Sequence, residues 1–267
     1  MIIKFPIREI IASGLRTQNL QLGQIASQVD LQKAISYLKP VTNGTDLIRI
    51  GGDGDGGYLI PDDLAGITTC FSPGVGSIAG FEDDISRRFK ITSFMADHSV
   101  EGPPSDNPEF RFQKKYIGSE RNDDFIDFEQ WVIGNAPDDA GDLLLQMDIE
   151  GGEYDTLMHA SKSLLQRFRI ISLELHGLHR MFSKGTLPFF AAFLRKITEQ
   201  HDVVHLHPNN CSAVETEWGI GIPDVMEVTL HRKDRARVYG AARTFPHPLD
   251  QPNTADLPDI ALPAAWF

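Results

Sequence analysis

The chain has 267 residues and a formal net charge of −12, because 37 Asp and Glu residues outnumber 25 Lys and Arg residues. Its hydrophobic fraction of 41% and charged fraction of 23% are ordinary for a globular protein and exclude a disordered or fibrous chain. The acidic balance argues against bulk nucleic-acid binding and against docking on an anionic membrane, because both need a basic surface. The length leaves one or two domains open.

Cysteine usage and the apolar runs predict a cytoplasmic protein. Cys70 and Cys211 are too few and too far apart for a disulfide scaffold or a zinc ribbon, so we interpret both as free thiols in a reducing compartment. No apolar run approaches the roughly 18–20 residues of a membrane span. The first residues also lack the long apolar region of a secretory signal.

Apolar spacing predicts a helical segment over the first 40 residues, which ends at Pro40. A strand, a glycine loop and a second strand follow over residues 46–60. Strands and helices then alternate to about residue 235, which is typical of a parallel sheet with helices on both faces. The predicted strands are 67–72, 90–96, 112–117, 143–149, 170–175, 203–206 and 226–231, and the predicted helices are 81–89, 126–133, 154–168 and 187–200.

The last two predicted strands are joined by a segment without a helical pattern, which Gly and Pro residues interrupt at 218–223. We therefore expect the final strand to be antiparallel on an otherwise parallel α/β sheet. The predicted organisation is a helical extension over residues 1–43, one α/β domain over 44–235 and a Pro-rich strap over 236–267.

A glycine turn follows the first strand of this sheet. The motif G-V-G-S-I-A contains Gly74, Gly76 and Ser77, and glycines there let the backbone approach a ligand at a helix N-terminus. The next strand ends at Asp97, which is 97 − 76 = 21 positions after the second glycine. A carboxylate at this place can accept hydrogen bonds from both ribose hydroxyls of an adenosine. The pair indicates nucleoside binding, whereas the glycines alone fit a plain tight turn; His98 either touches the ligand or faces solvent.

Charged residues follow the most apolar predicted strand. Asp148 and Glu150 stand at the end of strand 143–149, where charges are unfavourable unless they serve a ligand or cap a helix. We expect both to be functional. Glu153 and Asp155 have an alternative explanation, since the helix dipole favours acids in a first helical turn.

Two further predicted strands also end in polar residues. Glu174 and His176 alternate along one strand and so share a face, and His207 ends the following strand, before an Asn pair. Parallel strand ends meet at one crevice, so we expect these side chains close to Asp148. Carboxylates and imidazoles together suit a general base with its orienting partners, or a divalent metal held by Asp148, Glu174 and His176.

The glycine loop between the first two predicted strands begins like a calcium loop. An EF-hand needs a bidentate Glu at the twelfth position, which counted from Asp53 is Leu64, so we exclude calcium there. We interpret the loop, with Asp55 and Tyr58 at its end, as an element that covers a ligand.

These residues together resemble those of the FkbM-type, S-adenosylmethionine-dependent methyltransferases, especially the subgroup with a D-G-G-Y motif ahead of the cofactor domain. The resemblance covers about residues 45–235. The matching pieces are R-I-G from Arg49, D-G-G-Y from Asp55, C-F-S-P-G-V-G from Cys70, F-E from Phe81, the pair Asp97 and His98, D-I-E-G-G-E from Asp148, E-L-H from Glu174 and H-P-N-N from His207.

The resemblance implies a Rossmann-like class I methyltransferase fold, with a seven-stranded, mostly parallel sheet and an antiparallel last strand, and S-adenosylmethionine as cofactor. The chain departs from many methyltransferases at Ser72 and Pro73, where an acidic residue usually opens the glycine motif. The methionine amino group is then expected on Asp55, Glu82 or Asp148. The cofactor-binding candidates are Asp55, Gly56, Gly57, Tyr58, Gly74, Gly76, Ser77, Glu82, Asp97, His98 and Asp148.

The favoured function is O-methylation of a hydroxyl on a sugar, glycan or small metabolite. Such a transfer needs positioning of the acceptor and removal of its proton, for which His176 or His207 is the expected base, with Asp148, Glu150 and Glu174 orienting it or holding a metal. An NAD(P)-dependent Rossmann oxidoreductase and a non-catalytic nucleoside-binding scaffold are the alternatives. The sequence leaves open whether Mg²⁺ or another divalent cation takes part and whether the protein is a homodimer.

Overall fold

The computed structural model describes residues 23–137, 141–242 and 244–267. The helical prediction for the first 40 residues therefore lies partly outside the described residues. Within them, helix α1 covers Gln28–Ile35, with the Ser27 side chain accepting the Asp30 amide as its N-cap, and a 3₁₀ turn follows at Ser36–Leu38.

Fifteen strands and six α-helices are described in these ranges. The strands are β1 Val41–Thr42, β2 Leu47–Ile50, β3 Tyr58–Pro61, β4 Thr69–Pro73, β5 Thr92–Ala96, β6 Phe110–Gln113, β7 Tyr116–Gly118, β8 Phe125–Asp127, β9 Leu143–Met147, β10 Phe168–Leu175, β11 His201–Pro208, β12 Val214–Glu217, β13 Ile220–Pro223, β14 Met226–Arg232 and β15 Gly240–Ala241. The helices after α1 are α2 Gly80–Phe89, α3 Phe128–Asn135, α4 Glu153–His159, α5 Lys162–Arg167 and α6 Leu187–Ile197.

A seven-stranded sheet organises the molecule, with the strand order β11-β14-β10-β9-β4-β5-β6. Strand β14 runs antiparallel to both of its neighbours, and the other pairs are parallel. The predicted α/β fold with an antiparallel last strand is therefore confirmed. The order reverses between β4 and β9, and ligands bind at such switch points, outside the carboxyl ends of the strands.

The two faces of the sheet are covered differently. Side chains alternate along a strand, so Cys70 and Leu144 pack with α2 and the β2–β3 hairpin, while Phe71 and Leu145 face the larger core. That larger core contains buried residues of α1, α3, α4, α5 and α6. Strands at the centre of the sheet are buried on both faces, which explains their continuous apolar runs.

Three predicted elements differ from the structure in detail. The strand predicted over 112–117 is divided between β6 and β7, and β8 precedes the helix predicted over 126–133. The helix predicted over 154–168 is two helices, because Ser161 takes an extended backbone and its side chain caps α5 by accepting the Leu164 amide. No described helix combines the length and apolar character of a bilayer span.

The C-terminal segment, residues 244–267, lies against the β11 side of the sheet. His205 of β11 contacts Asp250 at 2.9 Å, and the Asn210 side-chain amide donates to the carbonyls of Thr254 and Leu257, each at 3.0 Å. The predicted domain boundaries at 43 and 235 stay a prediction.

Candidate functional site

A crevice opens at the carboxyl ends of β4, β5 and β9. It consists of a larger cavity of about 520 Å³ and a smaller cavity of about 220 Å³, and Gly74, Gly76, Asp148 and Glu150 line both. This is the place where an open, doubly wound sheet binds ligands. The crevice therefore contains the glycine turn and two of the predicted catalytic residues.

The glycine turn is built by backbone geometry that other residues do not tolerate. Gly74 has a φ of +86°, and a Cβ added there would lie 1.5 Å from the Asp148 carbonyl oxygen. Gly76 has a φ of +54° and no atom within 4 Å of the place of a Cβ, so its backbone borders open space. The first glycine thus permits the packing of β4 on the turn after β9, and the second leaves room for a ligand.

Asp97 follows β5 and is joined to the glycine turn. Its Oδ2 accepts the Gly76 amide at 2.8 Å, and its Oδ1 accepts the amide and the hydroxyl of Ser99, both at 2.7 Å. Asp97 lines the larger cavity together with Ser99 and Ala96. The glycine turn and Asp97, which the sequence predicts to act together, are thus in direct contact in the structure.

Aromatic side chains border the larger cavity beside Asp97. Tyr116, Ile117 and Phe125 line it, and the rings of Tyr116 and Phe125 lie 5.2 Å apart. The His98 ring packs on Tyr116 at 4.8 Å but does not line the cavity. Sequence reasoning missed the three lining residues, because β7 and β8 are short and carry no recognisable motif.

The glycine loop forms a wall of the smaller cavity through Asp55, Gly56 and Tyr58. The Arg49 side chain holds the loop by donating to the carbonyls of Gly52 and Gly54, both at 2.9 Å. The neighbouring Gly57 does not line the cavity. Its own packing requires glycine, because a Cβ there would lie 2.2 Å from a carbonyl oxygen of the loop. Ser77 and Glu82 also line the smaller cavity.

Glu82 is buried at the floor of the smaller cavity beside Ser72 and Gln146. The Ser72 hydroxyl contacts Glu82 Oε1 and lies 2.6 Å from Gln146 Oε1. Burial raises the pKa of Glu82 to about 7. Since a hydroxyl has one proton, a protonated Glu82 can donate to Ser72 while Ser72 donates to Gln146.

Asp148, Glu150, Glu174 and His176 form the strand-end cluster. His176 Nε2 lies 3.8 Å from Asp148 Oδ1, 3.5 Å from Glu150 Oε2 and 3.8 Å from Glu174 Oε1. Glu150 has a φ of +56°, and its side chain is 86% exposed. The structure thus brings together four of the predicted residues from the ends of β9 and β10.

Burial and mutual repulsion shift the pKa values of this cluster. Burial, together with the charges of neighbouring carboxylates, raises the pKa of Asp148 to about 7 and that of Glu174 to about 8. Burial by itself would lower the pKa of His176, but contact with Glu153 and the nearby carboxylates outweigh it and raise that pKa to about 9. The surrounding carboxylates therefore favour the protonated form of His176.

Three members of the cluster have the chemistry of a cation site. Asp148, Glu174 and His176 each offer a ligand atom, and these atoms lie within 4.8 Å of one another. Asp148 Oδ1 is buried and makes no hydrogen bond within the described ranges. Glu174 is held by Asn209 Nδ2 at 2.8 Å and by the Tyr58 hydroxyl at 3.3 Å. Carboxylate oxygens with one imidazole nitrogen fit a divalent cation, so the side chains are compatible with the predicted metal.

His207 lies in a different environment from the one expected. Its Nδ1 is 3.3 Å from Glu227 Oε2 and its Nε2 is 3.1 Å from Asp259 Oδ1, and it lines neither cavity of the crevice. Burial would lower its pKa, but these carboxylates outweigh burial and raise it to about 9. Both ring nitrogens are thus occupied by protein carboxylates, and Asp259 comes from a part of the chain with no sequence motif.

Residues 109–204 match the family model described as the Methyltransferase FkbM domain. This part of the chain is therefore similar to the methyltransferase domains of the FkbM type. The matched segment includes the whole strand-end cluster but neither the glycine turn nor the D-G-G-Y motif. The FkbM resemblance is thus confirmed, whereas the subgroup with the D-G-G-Y motif stays a prediction.

Among solved structures, the chain is similar to a crystal structure of a fibrillarin/Nop5p complex. The two share 12% sequence identity with a TM-score of 0.38, over 63% of this chain and 74% of that one. No curated protein matches the chain.

Proposed function

We propose that the protein is an S-adenosylmethionine-dependent methyltransferase that methylates a hydroxyl of a sugar, glycan or small metabolite. The observation that carries the proposal is the Gly76–Asp97 pair beside the larger cavity, in a chain whose adjoining segment matches the FkbM domain. The turn requires glycine in its backbone, and the carboxylate that follows β5 lies next to it. This is the arrangement that binds a nucleoside in folds of this type.

The crevice fits the cofactor at both ends. The Asp97 carboxylate would accept the ribose hydroxyls, and Tyr116, Ile117 and Phe125 offer apolar and aromatic surface for an adenine. The smaller cavity is polar and acidic, so the cofactor's amino group would meet Asp55 or Asp148 there. When bound, S-adenosylmethionine supplies a methyl group on a positively charged sulfur.

We assign the removal of the acceptor proton to Asp148. A pKa of about 7 leaves this carboxylate partly ionised at neutral pH, near the optimum for a general base. His176 keeps its own proton under these conditions, because its pKa is about 9. Its positive charge opposite Asp148 Oδ1 would favour the ionised form of that carboxylate. Asp148 would take the proton of the acceptor hydroxyl as its oxygen bonds to the methyl carbon, while the carbon–sulfur bond would break and S-adenosylhomocysteine would leave.

A divalent cation is the second way in which the cluster can activate an acceptor. Asp148, Glu174 and His176 would hold it, and it would lower the pKa of a coordinated hydroxyl. An acceptor screen with and without Mg²⁺, followed by chelation with EDTA, distinguishes the two cases. Activity that survives chelation assigns proton removal to the side chains alone.

The charges along the crevice favour an uncharged or cationic acceptor. The described residues that line the two cavities include five acids and no Lys or Arg; the acids are Asp55, Glu82, Asp97, Asp148 and Glu150. A phosphate or carboxylate on the acceptor would face these acids and would be repelled, since the nearby His176 imidazole is already surrounded by carboxylates. Neutral sugar hydroxyls are therefore favoured over sugar phosphates.

Replacement of Asp97 by Ala tests the proposed cofactor site. We expect the affinity for S-adenosylhomocysteine, measured by calorimetry, to fall roughly 10- to 100-fold, because hydrogen bonds to a charged group are lost. Asp106→Ala is the matched control, since Asp106 is exposed and follows the same strand at a distance from the cavities. Binding of NADH in place of S-adenosylhomocysteine would instead identify an oxidoreductase, and equal binding by wild type and Asp97→Ala would contradict the assignment.

A further inference from the structure

We infer that Glu153 is a positioning residue that holds the His176 ring so that its Nε2 faces Asp148 and Glu150, two acids that line the crevice. The inference rests on the proposed function and deepens it. It concerns the first residue of α4, whose buried carboxylate lies beside His176 of the strand-end cluster.

Glu153 is fully buried, with 0% of its side chain exposed. Its Oε1 accepts the backbone amides of Ile149 at 2.8 Å and Gly151 at 3.3 Å. These bonds close the turn that carries Asp148 and Glu150, in which Glu150 and Gly151 both have positive φ angles. The first task of this side chain is therefore to fix the turn that presents two members of the cluster.

The same oxygen of Glu153 faces His176. Glu153 Oε1 lies 3.4 Å from His176 Nδ1, and this nitrogen is buried with no hydrogen bond of ordinary geometry in the described ranges. Glu153 Oε2 is likewise buried and makes none. Glu153 is thus the carboxylate beside the inner nitrogen of His176, and a charge-assisted contact of this kind orients an imidazole.

The residue next to Glu153 holds the backbone of His176. The Tyr154 hydroxyl donates to the His176 carbonyl oxygen at 2.8 Å. Two successive residues of α4 therefore contact the backbone and the inner ring nitrogen of His176. With Nδ1 directed at Glu153, Nε2 is left facing Asp148, Glu150 and Glu174 at 3.5–3.8 Å.

A role in helix stability alone does not explain Glu153. Acids in the first turn of a helix are favoured at the surface, and Asp155 fits that role, being exposed and in contact with the Ser119 hydroxyl. A buried carboxylate with an unpaired oxygen is unfavourable instead. A Gln at position 153 could accept the same two amide hydrogens without carrying a charge. The neighbouring imidazole of His176 is therefore the feature that explains why a charged Glu, and not Gln, stands at position 153.

The first test is the variant Glu153→Gln, assayed for methyl transfer and for S-adenosylhomocysteine binding. We expect kcat to fall roughly 10- to 100-fold, the range found for groups that orient a metal-bound imidazole through its other nitrogen, with unchanged cofactor affinity and unchanged thermal unfolding. Asp155→Asn is the matched control on the same helix and should retain full activity. Wild-type kcat in Glu153→Gln, or a parallel loss of cofactor affinity and stability, would overturn the inference.

A double-mutant cycle with His176→Gln shows whether Glu153 acts through His176. If it does, Glu153→Gln adds little to the loss already caused by His176→Gln, because the residue it positions is gone. Additive losses would mean that Glu153 acts independently, which contradicts the inference.

A spectroscopic measurement keeps the inference separate from the proposed function. In ¹⁵N-histidine-labelled protein, we expect the Nδ1 proton of His176 to be shifted downfield and protected from exchange, and Glu153→Gln to abolish that signal. An unprotected Nδ1 proton in the wild type, or a signal unchanged by the variant, would overturn the positioning role. Wild-type protein without methyl transfer to any acceptor would refute the proposed function while leaving this measurement valid.

Discussion

His176 and His207 stand at the same edge of one sheet, but their surroundings differ. Both are close to carboxylates, and in both the carboxylates outweigh burial and raise the pKa to about 9. His176 follows β10 and has Nε2 at 3.5–3.8 Å from three acids of the strand-end cluster, two of which line an open crevice. His207 has one carboxylate at each ring nitrogen, at 3.3 and 3.1 Å, and its side chain is 1% exposed, against 18% for that of His176.

The C-terminal segment causes the difference. Asp259 from this segment contacts His207, and Asp250 contacts the neighbouring His205. Asn253 donates to Glu227 Oε1 at 2.6 Å, which occupies the other oxygen of the carboxylate beside His207. The strand end at β11 is thus covered and its charges are paired, whereas the end of β10 stays open and its charges are compensated incompletely.

The comparison predicts that a polar strand end binds a ligand only where the chain leaves it uncovered. A buried ion pair whose partners are all present is a structural element, and breaking it removes stability. An imidazole beside unpaired carboxylates at a cavity is available to a ligand. The predictions below test whether the two histidines differ in this way.

The largest expected difference is in catalysis. His176→Gln should lower kcat for methyl transfer roughly 100-fold or more, because it removes the positive charge and the proton opposite Asp148. His207→Gln should change kcat only a few-fold, provided that the assay is run where the variant is folded. Steady-state kinetics of both variants with the same acceptor measure the contrast, and a larger loss in His207→Gln would reverse our assignment of the two regions.

Much of the fold could be predicted, because its signals are local. Apolar runs at β4, β9 and β10 report strands buried on both faces, and the segment without a helical pattern after β11 correctly indicated an antiparallel last strand. The break between α4 and α5 was missed, because a capping Ser161 inside an apolar periodicity gives little warning.

The candidate site could be predicted only where the backbone itself carries the information. Gly74 and Gly76 are required by their φ angles and by the approach of another chain segment, so the glycine turn has a sequence signature. The contact of Glu153 with His176 and the covering of His207 by Asp259 depend on tertiary packing between distant segments. No spacing rule connects such residues, so the sequence alone does not distinguish His176 from His207 as the expected base.

The next largest difference is in the pH dependence of stability. The pKa of His207 is raised in the folded protein from 6.5 to about 9, so its contribution is fully present below pH 6.5 and is lost as the pH rises through about 9. By linkage this contribution is at most about 3–4 kcal/mol, because each pKa unit corresponds to about 1.36 kcal/mol. Urea unfolding at pH 6 and at pH 9.5 should show a larger decrease in the free energy of unfolding for wild type than for His207→Gln. Equal decreases would mean that Glu227 and Asp259 do not stabilise the charged imidazole.

The smallest expected effect concerns the attachment of the C-terminal segment at Asn210. Its side chain donates to the Thr254 and Leu257 carbonyls and accepts the Thr254 amide at 2.7 Å, so Asn210→Ala leaves these groups without partners. We expect a loss of about 1–2 kcal/mol in the free energy of unfolding and faster hydrogen exchange at the Thr254 amide. Cys211→Ala is the control, since Cys211 is exposed and adjacent in sequence.

The kinetics of Asn210→Ala also show whether the C-terminal segment only covers the end of β11 or also supports the glycine loop. This segment reaches the glycine loop, because a Cβ on Gly54 would lie 3.6 Å from the Asn253 carbonyl oxygen and 3.7 Å from that of Pro252. If the segment only seals the end of β11, the variant keeps the wild-type KM for both substrates. If loosening it also moves the loop that carries Asp55 and Tyr58, the KM for the acceptor or the cofactor rises while kcat is retained. That second outcome would mean that part of the C-terminal segment supports the crevice as well as covering the end of β11.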